Sequence, residues 1–182
     1  AGAADQELLL YVDSPPSAWN ASQRERKLVQ TFARQDKLRL TTIDRAGHSG
    51  PAFPEDQYDI DSVINWGAEI GGRYLMMVIV ESERLERRKG FHIPLVFHKY
   101  QTFGVIEGEL RVVDIARGRL LIAEPFSFEQ EGPRAFQATM DDDINDPDLH
   151  LTAYRKIAFF DELETSASQG LIDRVGAVIR TR

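Results

Sequence analysis

No cysteine occurs among the 182 residues, so disulfides, thiolate nucleophiles and zinc-thiolate centres are all excluded. The chain carries neither a Gly-x-Gly-x-x-Gly fingerprint nor a Walker-type phosphate loop, and Gly71-Gly72 leads into a strand pattern rather than a helix. Nucleotide chemistry therefore lacks a supporting motif. Positive charge is in short supply, with 22 Lys and Arg against 29 Asp and Glu and a formal net charge of −7. Such a balance leaves no basic footprint for phosphate neutralisation, which argues against nucleic acid and against an anionic membrane surface as partners. Long apolar runs are missing as well. The longest strongly apolar stretch, Tyr74 to Val80, is far short of the roughly 20 residues that a spanning helix needs. The first residues, Ala-Gly-Ala-Ala, lack Met and read as an artificially trimmed start or a remnant of processing, so any export signal or lipid-bearing Cys would have been lost with the preceding residues.

What remains is the composition of an ordinary globular protein, 42% hydrophobic and 28% charged, of a length that suits one domain over residues 1–182. Leu8 to Val12 is a short continuous apolar run ending in Asp-Ser-Pro-Pro, which fits a buried strand and a turn. Ser22 and Glu25 form a capping-box pattern ahead of Leu28, Val29, Phe32 and Ala33, predicting a first helix to about Gln35. Leu38 to Ile43 alternates as a second strand, and Arg45 to Asp59 is punctuated by Gly and Pro as a loop. Asp59 or Asp61 can cap a short helix that Gly71-Gly72 stops.

Tyr74 to Val80 is apolar on both faces, as in a central strand covered from both sides, and beyond it the chain turns charged towards an expected turn at Gly90. Between Gln101 and Asp114, Ile106, Gly108, Leu110 and Val112 face one way, and Glu107, Glu109 and Arg111 the other. Asp114 to Gly118 supplies turn chemistry, and Arg119 to Phe128 returns as a strand, so residues 74–128 are expected to form an antiparallel meander. Ala153, Ile157, Phe160, Ala167, Leu171, Val175 and Val178 make a helical stripe, on one long helix or on two meeting near Gly170. The expected fold class is α/β, a mixed sheet with parallel first strands and a C-terminal antiparallel meander, with helices packed on the sheet.

Few constellations suggest chemistry. Gly47-His48-Ser49-Gly50-Pro51 has the Gly-x-Ser of a nucleophile elbow, but Pro stands at the fifth position and no apolar strand runs into it, which favours a plain Ser/Gly loop. His92 and His98, taken as lying on one strand, would sit roughly 20 Å apart, too far for a shared metal. The acidic stretch Asp141 to Asp148 fails the calcium-loop template and reads as a solvated loop capping the last helix. Arg84, Arg87, Arg88 and Lys89 are interleaved with Glu81, Glu83 and Glu86, which predicts salt-bridged hairpin arms rather than a phosphate cradle. No catalytic, cofactor-binding or metal-ligating residue is assigned, and no cofactor is expected.

The wording of one region points to a family. The helix end Gly67-Ala-Glu-Ile-Gly-Gly72, the strand Arg73 to Val80, an inserted hairpin arm and then Gly108-Glu-Leu-Arg-Val-Val-Asp-Ile-Ala-Arg-Gly-Arg119 resemble the curli-secretion lipoprotein family, together with related envelope assembly lipoproteins. The resemblance implies the same strand and helix order, an envelope location, lipid anchoring and a role in assembling a larger machine. It carries no catalytic residues. In pore-forming members this meander bears transmembrane hairpins, whereas Glu81 to Gln101 is short and its Arg87-Arg88-Lys89 stretch highly charged for such a pair.

The expected function is accordingly a non-catalytic, periplasmic and lipid-anchored accessory component, acting through protein partners and possible homo-oligomers, with any membrane association through the lipid anchor alone. A small enzyme using the Gly47 to Pro51 loop and a purely structural oligomer subunit are the alternatives. The expected contact residues are Arg84, Arg87, Arg88, Phe91, Ile93, Leu95 and Phe97, on a projecting hairpin whose apolar part either forms an interface or folds back as core.

Overall fold

The computed structural model describes residues 6–15, 21–34, 38–43, 51–93, 97–132 and 153–180. The elements in chain order are β1 (Gln6–Asp13), α1 (Ala21–Ala33), β2 (Leu38–Thr42), α2 (Ile60–Ile70), β3 (Tyr74–Ile93), β4 (Phe97–Asp114), β5 (Arg119–Glu131) and α3 (Ala153–Arg180). The five strands form one sheet in the order β2-β1-β3-β4-β5, with β1 parallel to both β2 and β3, and β3, β4 and β5 antiparallel in succession. This is the α/β mixed sheet expected from the sequence, with its C-terminal meander.

The chain steps outward from β1 to β2 and then back across β1 to β3. Two right-handed crossovers running in opposite directions place their helices on opposite faces of a sheet. Accordingly α1 contributes Leu28 and Phe32 to one core, with Leu8, Leu10, Met76 and Val78, while α2 contributes Val63 and Trp66 to the other, with Leu9, Tyr11, Leu75 and Met77. Residues 74–80 serve both cores by alternation, which is why they are apolar without interruption. Helix α3 joins α1 on the first face through Phe160, Leu163, Leu171 and Val175.

Local signals explain most boundaries. Asp59 caps α2 by accepting from the Ser62 amide, and Gly71 ends it in the left-handed region at φ 86°, its amide donating to the carbonyls of Gly67 and Ala68. Gly71→Ala is expected to destabilise the fold by about 1 kcal/mol, because a Cβ disfavours that backbone region. A lowered urea midpoint at unchanged slope is the measurement that checks it. Gly118, at φ 58°, closes the β4–β5 turn, where the Arg117 amide donates to Asp114 Oδ1 at 3.1 Å.

Three expectations need correction, and one alternative is decided. Ser22 already lies inside α1, so it is not the cap. Of the two readings of the last stripe, the single long helix holds: α3 is continuous through Gly170, where a Cβ would come within 2.3 Å of the Phe128 ring, so this glycine permits close approach of helix and sheet. Ile157, counted in the apolar stripe, is exposed, and Leu163 and Glu164, which were left out of it, are buried. Gly90 is not a turn either: β3 continues to Ile93, and His92 pairs with His98 and Ile93 with Phe97, so the chain reverses only beyond Ile93. Gly90 falls instead inside a register irregularity between Lys89 and His92, a position where strands accept glycine.

Candidate functional site

Strands β3 and β4 outrun their neighbours. Pairing with β1 stops at Ile79, and pairing with β5 stops at Phe103, opposite Glu131. Past those limits Arg87 to Ile93 and Phe97 to Thr102 pair with each other, an arm about 20 Å long at roughly 3.3 Å per residue.

At the root of the arm the ladder slips by one residue between Val80 and Ser82. A bulge of this kind exchanges the faces of everything beyond it. Glu83 and Leu85 consequently lie on the helix side, while Ser82, Arg84, Glu86 and Arg88 lie on the side of α2, beyond the reach of that helix. Glu83 enters a buried ion cluster there. Arg24 of α1 is 2% exposed; it donates to Glu83 at 3.0 Å, to both carboxylate oxygens of Glu164 on α3, and to Ser14 Oγ at 2.8 Å. One cation thus ties two helices to the root of the arm. Burial opposes the Arg24 charge, but its hydrogen bonds and ion pairs with Glu164 and Glu83 prevail and hold its pKa above the ordinary value. Burial likewise raises the Glu164 carboxyl, against the pull of Arg24. Oε1 of Glu83 and Oγ of Ser168 are buried without a hydrogen-bond partner. The crevice beside them, lined by Arg24, Val80, Ile106, Phe126 and Glu164 among others, has no room for a water molecule.

The other side of the arm is a lattice of surface ion pairs. Arg84 bridges Glu86 at 2.6 Å and Glu107 at 2.5 Å, and Arg88 bridges Glu86 and Glu129, both at 2.7 Å. Hydrogen bonds from Arg84 lower the Glu107 carboxyl, and those from Arg88 and Arg84 lower Glu86. Arg88 also lies 4.4 Å from the Phe103 ring centre. The charged arm read from the sequence is therefore salt-bridged across strands.

Of the expected contact residues, Arg84 lies at the root of the arm and Arg87 and Arg88 on its near half, with Arg87 on the face opposite to that of Arg84 and Arg88. Phe91, Ile93 and Phe97 occupy its far half as strand positions, with side chains outside the described residues, and Leu95 lies outside them altogether. His92 and His98 are not on one strand: the chain reverses between them, and they face each other as register partners. The separation of roughly 20 Å expected for a single strand is thereby overturned. The Gly47 to Gly50 loop and Asp141 to Asp148 lie outside the described residues; Pro51 is described, and its carbonyl accepts from Trp66 Nε1 at 3.0 Å. Among the described residues no group of three or more His, Asp or Glu is placed to hold a metal ion, and no helix is long and apolar enough to cross a membrane.

The sequence reading missed two features. The Arg24 cluster was hidden because each member sits in an otherwise polar stretch; the available signal was Glu164 at i+4 from Phe160, on the stripe itself. The loop before α2 is also more than a surface connection, since Phe53 stacks on Tyr11 at 3.8 Å and meets Trp66 edge-on at 4.8 Å, closing the second core.

No family model and no curated protein matches this sequence. Solved structures do match. A hypothetical protein from Chlamydia trachomatis superposes with a TM-score of 0.55 at 11% identity, covering 98% of this chain and 100% of its own. A Xanthomonas campestris protein of the DUF330 family gives 0.51 at 7% identity, covering 97% and 86%. A minor lipoprotein from Acinetobacter baumannii gives 0.47 at 10% identity, covering 95% and 94%. At these identities the first two establish likeness of fold.

Proposed function

We propose that this chain is a non-catalytic accessory or assembly component of a cell-envelope machine, located in the periplasm through a lipid anchor and acting by protein contacts made with the β3–β4 arm. The observation that carries this reading is the arm itself. A strand pair running past the sheet contributes little to the core, yet its root is fastened to α1 and α3 through Arg24. Such fastening serves to aim the arm rather than to stabilise its tip. The likeness of residues 64–128 to curli-secretion lipoproteins supports the envelope assignment and belongs to the same proposal.

A photo-crosslinking amino acid at Phe91, in the full-length protein expressed in its own host, is expected to give an adduct of one discrete mass in the envelope fraction. The same probe at Tyr154, which is 80% exposed on α3, is expected to give none. Absence of the protein from the envelope fraction, or adducts alike at both positions, would sink the reading.

A further inference from the structure

We propose that the juxtaposition of His92 and His98 across the β3–β4 ladder makes the far half of the arm a binding site for a divalent transition-metal ion of the class that imidazole favours, Zn²⁺, Ni²⁺ or Cu²⁺. Metal binding there is independent of the arm's role in protein contacts.

Three observations carry it. First, His92 and His98 are direct register partners. Positions directly opposed in an antiparallel pair share a face of the ladder, with Cβ atoms about 4.5–5.5 Å apart. From such a spacing two imidazoles reach one ion at the usual metal–nitrogen distance of about 2.0–2.1 Å. Ile93 and Phe97 pair just beyond, so the hairpin holds the two positions together before the ion arrives and little chain entropy is lost on binding.

Second, the pairing depends on an irregularity. Lys89 pairs with Tyr100, and an unbroken ladder from there would set His92 against Phe97 and His98 against Phe91. The slip between Lys89 and His92 shifts the register by one residue and brings the two histidines into opposition. Bulges re-aim strand positions in this way and are concentrated beside functional sites.

Third, the composition of the arm selects the ligand. From Arg87 to Ile106 there is neither Asp nor Glu. Hard cations such as Ca²⁺ and Mg²⁺ therefore find none of the carboxylates they use, and with no cysteine in the chain the soft thiolate ligands are missing too. Imidazole is what remains. Two protein ligands leave the other coordination positions to water, which makes an open and exchangeable site rather than a closed structural one.

The test is isothermal titration of the full chain, carrying no histidine tag, with Zn²⁺, Ni²⁺ and Cu²⁺ and with Mg²⁺ for comparison. The transition metals are expected to bind one ion per chain, Cu²⁺ the tightest, and Mg²⁺ is expected not to bind. His92→Ala and His98→Ala are each expected to weaken binding by roughly tenfold or more, a loss that removing even an outer-shell partner of a metal ligand reaches. The double variant H48A/H150A, which removes the other two histidines, is expected to bind as wild type does. H98A/K99H keeps the number of histidines but moves one to the other face of the strand, and it is expected to bind as weakly as His98→Ala. Circular dichroism of each variant verifies that it is folded. Failure of the wild type to bind any of the three metals overturns the site, as does loss of binding in H48A/H150A or full binding by H98A/K99H. None of these results touches the envelope adduct at Phe91, on which the broader role of the arm stands or falls.

Discussion

Arg24→Met is expected to destabilise the protein by about 3–5 kcal/mol at neutral pH, since it leaves two buried carboxylates without a counter-charge. Arg24 and Glu164 are each almost fully buried, and the Glu83 side chain is 5% exposed, so solvent screens little of the loss. The effect should depend on pH in a defined sense. In the native protein the raised pKa of Glu164 means that the folded state keeps a proton which the unfolded chain has already released. Its contribution to stability is therefore fully present below the ordinary glutamate range and is lost as pH rises through the raised folded value. Without Arg24 the Glu164 carboxyl prefers protonation still more strongly, so the penalty of Arg24→Met should shrink as pH falls below neutrality. Glu164→Gln should be tolerated far better than Arg24→Met and should flatten the wild-type pH profile. Urea unfolding of the three proteins at several pH values decides the matter; a loss within the range of surface substitutions would show that the cluster does not fasten the arm.

Gly108→Ala is expected to cost about 3 kcal/mol, at the upper end of what overpacking does. A Cβ built at Gly108 would sit 2.1 Å from the carbonyl oxygen of Ile79 and 2.9 Å from the Phe126 ring. The first obstacle is backbone of the neighbouring strand, which no change of rotamer can move. Gly72→Ala is the informative comparison. Its Cβ would come within 2.3 Å of Leu9 Cδ1 and 2.7 Å of Leu9 Cγ, but there the obstacle is a side chain rather than backbone, so the loss should be smaller. Equal shifts in urea midpoint for the two variants would contradict this account.

Strand and helix order was legible in the sequence wherever alternation or capping chemistry was local. Tyr74 to Val80, the alternation from Ile106 to Val112, the cap at Asp59 and the left-handed Gly118 all depend on neighbours within a few residues. What could not be read depended on partners far along the chain. Arg24 and Glu164 are 140 residues apart, and nothing near either marks them as a pair. The Gly90 turn was misjudged because glycine serves turns and strand irregularities equally, and the choice between them is made by the opposite strand. Because the reversal lies beyond Ile93, His92 and His98 face each other as register partners. The charged half of the arm was legible as residue types, and its ion pairs followed from pairing to β4 and β5.

The one-residue slip after Val80 gives β3 two alternation phases. Even-numbered positions face α1 and α3 up to Val80, and odd-numbered positions face them from Glu83 onward. Glu81 thus behaves as a spacer: a chain lacking it would set Ser82 directly after Val80 and keep both faces as they are. Length variation of a single residue at this point should be neutral for the arm, whereas the same change anywhere from Ser82 to Arg87 would turn the remaining charges inside out. The strand is in effect two messages joined by a blank character, and only the blank is expendable.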